Sequence, residues 1–320
     1  MKYSAFAVAC ILSVAFATAA EAACKGPMRN GRVHGEGICT YDNGTYTGTL
    51  VNGERHGRGR YEFSNGDVYD GSWVNGQRTG SGTLRFADGG VYSGEWLKDE
   101  IHDHGRYRYS NGNRYDGNWE YGNRSGRGEI KYRGGGRFEG VFQSDYPTYG
   151  THTWSDGDFY EGPYINEWER TGVGKYSWVN ENGDVYAVYE GDFIDGERTG
   201  SGKITHKWGD DYEGEFLDGE YHGRGTLTMR NGRVQSGQFV NGKFVIGPDS
   251  YIVFEDGRKF EGAFNESGEL HGQGKVTWPD GSVFAGDFIN NSMAEGVMTR
   301  PDVTTQPGRI RGARFDAVVR

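Results

Sequence analysis

The feature that most constrains this chain is a repeat of about 23 residues that occupies nearly all of it. Each copy begins with the pattern aromatic-x-Gly, and the third position is glycine in all twelve copies, from Gly26 to Gly286. A fixed period of this length predicts a repeat architecture, in which every copy is one supersecondary unit stacked on its neighbours. The copies start at residues 24, 46, 69, 92, 115, 138, 160, 189, 212, 235, 260 and 284.

Within each copy the residue types alternate with a period of two. Positions 1 and 5 are aromatic in most copies, whereas positions 2 and 4 are polar and often acidic, as in residues 212–216. This alternation predicts a strand with one packed face and one wet face. Asn-Gly or Asp-Gly, together with His-Gly-x-Gly, supplies the bend before a second strand, and a further Asn-Gly turn follows that strand. Each copy therefore predicts one β-hairpin, and 56 glycines in 320 residues disfavour long helices.

The consensus Tyr-x-Gly-x-Trp/Phe-x-x-Gly-x-x-His-Gly-x-Gly, which residues 212–225 match closely, resembles the MORN repeat (membrane occupation and recognition nexus). The resemblance covers residues 24–296 and implies an all-β fold: an elongated, twisted single antiparallel sheet of about twelve serial hairpins. It also implies protein interaction or membrane association. The pattern is irregular in the copies at 138, 160 and 235, and we expect the array to be bent or interrupted there.

The first 22 residues have the composition of a secretory signal peptide. A positive start precedes an apolar run over residues 4–17, and small residues follow at an A-x-A cleavage pattern. We therefore predict a cleaved leader (1–22), a repeat array (23–296) and a basic C-terminal tail or cap (297–320). We therefore predict that the protein is exported and is periplasmic or extracellular. The sequence leaves open whether it associates with the cell envelope.

Two cysteines remain after the predicted cleavage, Cys24 and Cys39, both in the first copy. An exported compartment permits disulfides, and a bond between them would fasten the end of the array. The alternatives are two half-buried thiols or lipidation of Cys24. We favour the disulfide.

The sequence offers no convincing catalytic constellation. Its acidic residues recur with the repeat, whereas catalytic carboxylates need distinct environments that separate their pKa values. The turn histidines of successive copies are too far apart to share a zinc ion. His102-Asp103-His104 is the only local histidine cluster in the sequence and the best candidate for an enzyme. We predict that the chain is not an enzyme and uses no metal or cofactor.

Charge separates the remaining partner classes. The formal net charge is −10 and the pI about 5.4, which disfavours nucleic acid as a partner. Arginines nevertheless recur at the hairpin bends, and stacking predicts that they align as a basic edge. The residues proposed for that edge are Arg55, Arg58, Arg78, Arg124, Arg127, Arg198 and Arg224.

The aromatic positions predict a second candidate surface. Its members are Tyr69, Trp73, Tyr92, Trp96, Tyr115, Trp119, Tyr212 and Phe216. The leading hypothesis is an exported, non-catalytic scaffold that binds one or more protein partners of unknown identity across this surface. The alternative is a cell-envelope module that binds phospholipid headgroups or glycans. The sequence leaves the oligomeric state open.

Overall fold

A computed structural model describes residues 23–166, 168–247, 249–265 and 269–301. The predicted leader and most of the predicted tail lie outside the described residues. The chain divides into two compact units, unit 1 (Met1–Glu169) and unit 2 (Arg170–Arg320). The described residues are all-β, with 26 strands in one antiparallel sheet and β2–β3 as a separate two-stranded ribbon. They contain no helix long and apolar enough to cross a bilayer.

The strands follow one another as serial hairpins, as the repeat predicts. Those of unit 1 are β1 (Ala23–Lys25), β2 (Met28–Arg29), β3 (Arg32–Val33), β4 (Gly35–Tyr41), β5 (Gly44–Val51), β6 (Glu54–Phe63), β7 (Val68–Val74), β8 (Gln77–Arg85), β9 (Val91–Leu97), β10 (Glu100–Arg108), β11 (Arg114–Glu120), β12 (Asn123–Lys131), β13 (Arg137–Gln143), β14 (Tyr146–Thr153) and β15 (Phe159–Ile165). The short strand β16 (Glu169–Arg170) lies at the division between the units. Those of unit 2 are β17 (Gly172–Val179), β18 (Val185–Ile194), β19 (Glu197–His206), β20 (Asp211–Leu217), β21 (Glu220–Thr228), β22 (Val234–Val240), β23 (Lys243–Val245), β24 (Tyr251–Val253), β25 (Lys259–Phe264), β26 (Leu270–Thr277), β27 (Val283–Ile289) and β28 (Ser292–Thr299).

Glycines cross unit 1 as a continuous row. Every strand from β4 to β15 contributes one glycine, and each faces the glycine of the next strand, as in the pair Gly71 and Gly82. The position-3 glycine of each first strand thus meets the second glycine of His-Gly-x-Gly. That second glycine therefore lies within the sheet rather than in the bend, where the sequence alone would place it.

The position-1 aromatic rings pack directly on the glycine row. A Cβ atom on Gly71 would lie 2.6 Å from both the Tyr69 ring and the Gly82 backbone, so the ring occupies the space that two side chains would fill. Position-1 rings across both units lie on such pairs, which explains why position 3 tolerates only glycine. Glycine at position 3 therefore specifies the packed face, because it leaves room there for an aromatic ring.

Unit 2 repeats this pattern with one interruption. Glycines face each other from β17 to β22 and again from β25 to β28. Between these stretches the second strand of the copy at 235 is split into β23 and β24, and Ser250 occupies the place beside Gly237. The last strands pack a core of Phe260, Leu270, Val276, Phe284, Phe288 and Met293.

The irregular copies differ in how they depart from the hairpin. The copy at 138 keeps its hairpin, β13–β14, with a register shift and a bend through Ser144 and Asp145 at positive φ. The insertion in the copy at 160 lengthens the β17–β18 hairpin, which pairs as far as Val179 and Val185. In the copy at 235 the row of paired glycines stops at Gly237, which lies beside Ser250. At the C-terminal end, β28 continues to Thr299, three residues beyond the predicted end of the array.

Candidate functional site

The aromatic residues proposed as a binding surface form the packed core, which corrects that prediction. Each is at most 3% exposed, because the position-1 rings lie on the glycine row and the position-5 rings pack edge-on against them. The Tyr69 ring, for example, meets Trp73 and Trp96 edge-on, each at a centroid distance of 5.2 Å. The residues corrected in this way are Tyr69, Trp73, Tyr92, Trp96, Tyr115, Trp119, Tyr212 and Phe216.

The polar atoms of these rings are also used internally. The Tyr69 hydroxyl donates to the Ser72 carbonyl at 3.1 Å, and the Tyr212 hydroxyl donates to the Glu215 carbonyl at 2.9 Å. The Trp73 indole N–H donates to the Gly59 carbonyl at 3.0 Å. A buried tyrosine or tryptophan needs such partners for its polar atom. These rings therefore stabilise the sheet, and no partner can reach them without opening it.

Burial raises the pKa of four tyrosines to about 12, with desolvation as the largest cause, so stability should fall at alkaline pH. The folded chain holds these protons at pH values where the unfolded chain, near pKa 10, releases them. Their stabilising contribution is therefore complete below about pH 10 and is lost as the pH rises towards 12. We expect the urea concentration at the unfolding midpoint to drop steeply between about pH 10 and 12, while tyrosinate absorbance reports the titration. A midpoint that stays constant over this range would contradict the prediction. The four are Tyr46, Tyr107, Tyr189 and Tyr212.

The predicted basic edge separates into two groups on opposite faces, which corrects the prediction of a single row. In the first group the guanidinium turns onto the aromatic core. The Arg78 guanidinium carbon lies 4.3 Å from the centre of the Trp96 ring, and its Nε donates to Asp99 Oδ1 at 3.0 Å. Burial lowers the pKa of Arg78 from its ordinary value. The members are Arg55, Arg78, Arg124 and Arg198, and Arg170 follows the same pattern.

This first group of arginines connects successive bends. Arg55 donates to the Gly76 carbonyl at 2.6 Å, and Arg198 donates to the Gly219 carbonyl at 2.6 Å, in each case 21 residues along the chain. The bend that Arg78 contacts contains Lys98 and Asp99 and no glycine. There Arg78 donates to the Asp99 carboxylate as well as to the Asp99 carbonyl. These arginines therefore fasten one copy to the next and are not a free basic surface.

The second group points to the opposite face, called here the outer face. It consists of Arg58, Arg127 and Arg224, all exposed. Arg224 lies 3.7 Å from Asp249, and both side chains are more than 70% exposed. Arg55 and Arg58 lie on the same strand but three residues apart, so the two-residue period of a strand places them on opposite faces. Three arginines of the predicted seven thus remain available to an outside partner.

Cys24 and Cys39 are joined by a disulfide in the structure. The bond connects β1 to β4, where the two residues face each other in the register, and Cys39 is fully buried. It therefore fastens the first strand of the sheet to the hairpin that follows.

The histidine cluster does not form a metal site. His104 Nε2 lies 3.0 Å from Asp116 Oδ1 on the next strand. Within residues 23–301, apart from the undescribed positions, no group of three or more His, Cys, Asp or Glu side chains could hold a metal ion.

An exposed apolar patch on the outer face is the feature that the sequence reasoning missed. Val141 on β13, Tyr149 on β14 and Pro163 on β15 are direct neighbours in the strand register. Tyr149 is 50% exposed and Val141 39% exposed. We call this the outer patch, and its members are Val141, Tyr146, Tyr149, Pro163 and Ile165.

The outer patch stands out because the copies at 46, 69, 92 and 115 are polar at the places of Val141, Tyr149 and Pro163. The place of Ile165 is apolar in other copies too, as at Val74 and Leu97. The residue before the in-sheet glycine of the second strand is Tyr149 here. The residues equivalent to Tyr149 are Arg58, Ser81, His104 and Arg127. Those equivalent to Val141 and Pro163 are Thr49, Ser72, Glu95 and Asn118. The signal in the sequence was the copy at 138, which reads Tyr-Pro-Thr-Tyr-Gly where its neighbours have polar bends.

Carboxylates border the outer patch. Glu139 and Glu161 face Thr151 from either side, two residues along the strands from Val141, Tyr149 and Pro163. Neither carboxylate has an ion-pair partner among the described residues. On the other side, Arg127 faces Val141 across the β12–β13 pair. The patch therefore combines an apolar centre with free negative charge along one border.

Comparison with known proteins gives one family. The family model described as the MORN repeat matches residues 25–45, 46–68, 69–91, 92–114, 115–137, 189–211, 212–232 and 260–283. The copies at 138, 160, 235 and 284 are not among these matches. No curated protein matches the sequence of this chain.

Similarity to solved structures is weak. The TCP10 domain of CPAP from Danio rerio, in complex with a STIL peptide, is 13% identical with a TM-score of 0.22, covering 72% of this chain and 89% of that one. The corresponding TCP domain of SAS-4 from Drosophila melanogaster is 12% identical with a TM-score of 0.23, covering 57% and 82%. Virginiamycin B lyase from Staphylococcus aureus is 10% identical with a TM-score of 0.14, covering 79% and 84%. At these TM-scores the likenesses carry no argument about function.

Proposed function

This chain belongs to the MORN-repeat family, and from that premise we propose that it is an exported, non-catalytic scaffold that binds a protein partner through the outer patch. The observation that carries the proposal is the exposure of Tyr149 and Val141 side by side, at positions that are polar in the copies at 46, 69, 92 and 115. Sheet packing gives no reason for apolar residues there, because the core of the array lies on the opposite face. Apolar side chains exposed together commonly mark protein contact sites.

The composition of the outer patch suits a protein partner. Tyrosine is enriched among the residues that dominate binding energy at protein interfaces, and a polar rim around an apolar centre is the usual arrangement. Glu139 and Glu161 border the patch without ion-pair partners among the described residues. They favour a partner that presents Lys or Arg beside its own apolar side chains.

Export rests on the leader-like residues 1–22 and is supported by the disulfide between Cys24 and Cys39, a bond typical of oxidising compartments. The non-catalytic assignment rests on the repetition of the acidic residues, which share one kind of environment. A phospholipid headgroup remains a weaker alternative, since only Arg58, Arg127 and Arg224 of the predicted edge are exposed.

The proposal predicts that one substitution on the outer patch strongly weakens partner capture. Tyr149→Glu removes the central ring and adds a third negative charge two residues from the row of Glu139 and Glu161, so affinity should fall at least about 30-fold, equivalent to about 2 kcal/mol. The measurement is quantitative capture from an envelope extract by the immobilised mature chain, with the captured protein identified by mass spectrometry.

The matched control is Tyr121→Asn. Tyr121 is a tyrosine that is 63% exposed, lies at a bend outside the outer patch and has a positive φ that asparagine accepts. Capture should be unchanged in this variant. Equal capture by the Tyr149→Glu variant and the wild-type chain would overturn the proposal.

A further inference from the structure

A polar cleft lies on the outer face of unit 1, away from the outer patch. Its volume is about 540 Å³, within the range of about 300–1,000 Å³ that small-ligand pockets occupy. Its floor is formed by Ser81 and Thr83 on β8 and by Ser93 on β9. The cleft exists because these short side chains occupy two adjoining strands, while longer side chains stand on the strands to either side.

The floor of the cleft can donate and accept hydrogen bonds. Thr83 and Ser93 face each other across the β8–β9 pair, and their hydroxyl oxygens are 3.0 Å apart. Hydroxyl groups rotate to suit a partner and can act as donor or acceptor. Apart from the His104 imidazole, no aromatic or aliphatic side chain lines the cleft, so an apolar ligand would gain little there.

The rim of the cleft carries balanced charge. Arg58 and Arg85 are guanidinium donors, and Asp70 and Glu95 are carboxylate acceptors. None of these four has an ion-pair partner in the described part of the chain. The two remaining polar side chains of the rim, Arg106 and His104, lie 2.8 Å and 3.0 Å from the Asp116 carboxylate.

Free donors and free acceptors around a hydroxyl floor suit a ligand that carries many hydroxyl groups. We propose that this cleft binds a neutral saccharide, whose hydroxyl groups accept from the guanidinium groups and donate to the carboxylates. A phosphate or a lipid headgroup would meet Arg58 and Arg85, but Asp70 and Glu95 would repel it. Bidentate contacts of arginine and carboxylate with neighbouring hydroxyls supply orientation as well as energy. This site is independent of the outer patch, and its partner is a sugar rather than a protein.

The test is to titrate the mature chain with three sugars and to measure binding by saturation-transfer NMR and calorimetry. The sugars are maltotriose, cellotriose and N,N′,N″-triacetylchitotriose. We expect at least one of these sugars to bind. Ser93→Gln should weaken that binding at least about 10-fold, because the longer side chain fills the floor. Arg58→Gln should weaken it about 5-fold by removing the charged donor.

The matched control is Ser236→Gln in unit 2. Ser236 also pairs with a threonine across two strands, Thr226, with hydroxyl oxygens 2.9 Å apart, but lies outside the cleft. Its substitution should leave sugar binding unchanged, and thermal unfolding checks that both variants fold. The proposal is overturned if none of the three sugars binds, if the variants Ser93→Gln and Ser236→Gln bind equally, or if inorganic phosphate competes for the site. Protein capture through Tyr149 should be unaffected by Ser93→Gln, which separates this test from that of the proposed function.

Discussion

Replacing Gly71 with alanine should destabilise the array by about 4 kcal/mol, the largest effect we expect from a single methyl group. The added Cβ would lie 2.6 Å from the Gly82 Cα on the paired strand and would also meet the Tyr69 ring. The backbone contact cannot be relieved by rotating a side chain, so the two strands must separate. Urea unfolding followed by tryptophan fluorescence measures the loss.

The control for this prediction is Gly134→Ala. Gly134 has nothing within 4 Å of its added Cβ and has no positive φ. Its substitution should change the free energy of unfolding by no more than about 1 kcal/mol. Any such change should be stabilising, because alanine reduces the conformational entropy of the unfolded chain. If both variants unfold at the same urea concentration, the glycine row has no role in packing.

Replacing Arg78 with methionine should destabilise the chain by about 3 kcal/mol. The substitution keeps much of the side-chain volume but leaves the Asp99 carboxylate without its partner, and removing one member of a largely buried ion pair is costly. The side chains are 11% and 22% exposed. The double variant with Asp99→Asn should recover part of the loss, since the unpaired charge is then removed.

Arg127→Met is the comparison for this second prediction. Arg127 is exposed and lies on the outer face, where its guanidinium has no ion-pair partner among the described residues. We expect a change within about 0.5 kcal/mol. A loss as large as that of Arg78→Met would indicate that the two groups of arginines do not differ as the structure places them.

The fold was predictable because one residue type marks it in every copy. Glycine at position 3, together with alternating aromatic and polar residues, predicts strands, hairpins and the packed face. The second glycine of His-Gly-x-Gly was placed in the bend because its neighbours are bend residues. Its role in the sheet depends on the register between strands, which a single sequence does not contain.

The candidate site was less predictable, for physical reasons. Aromatic residues are typical both of cores and of binding surfaces, and only burial separates the two uses, as at Trp73. The bend arginines looked alike in sequence, yet Arg55 and Arg58 fall on opposite faces. The outer patch is visible in sequence only as a departure from the repeat at Tyr149. Irregular copies are therefore the better guide to function in such an array, since the regular residues build the sheet.

The most direct test of the binding-scaffold proposal is photo-crosslinking from position 149 in the native envelope. A photoreactive phenylalanine analogue would replace Tyr149 in one variant and Tyr121 in a second. The proposal predicts a discrete crosslinked protein from position 149 and none from position 121. The absence of a crosslink at position 149, or the same products from both positions, would contradict it.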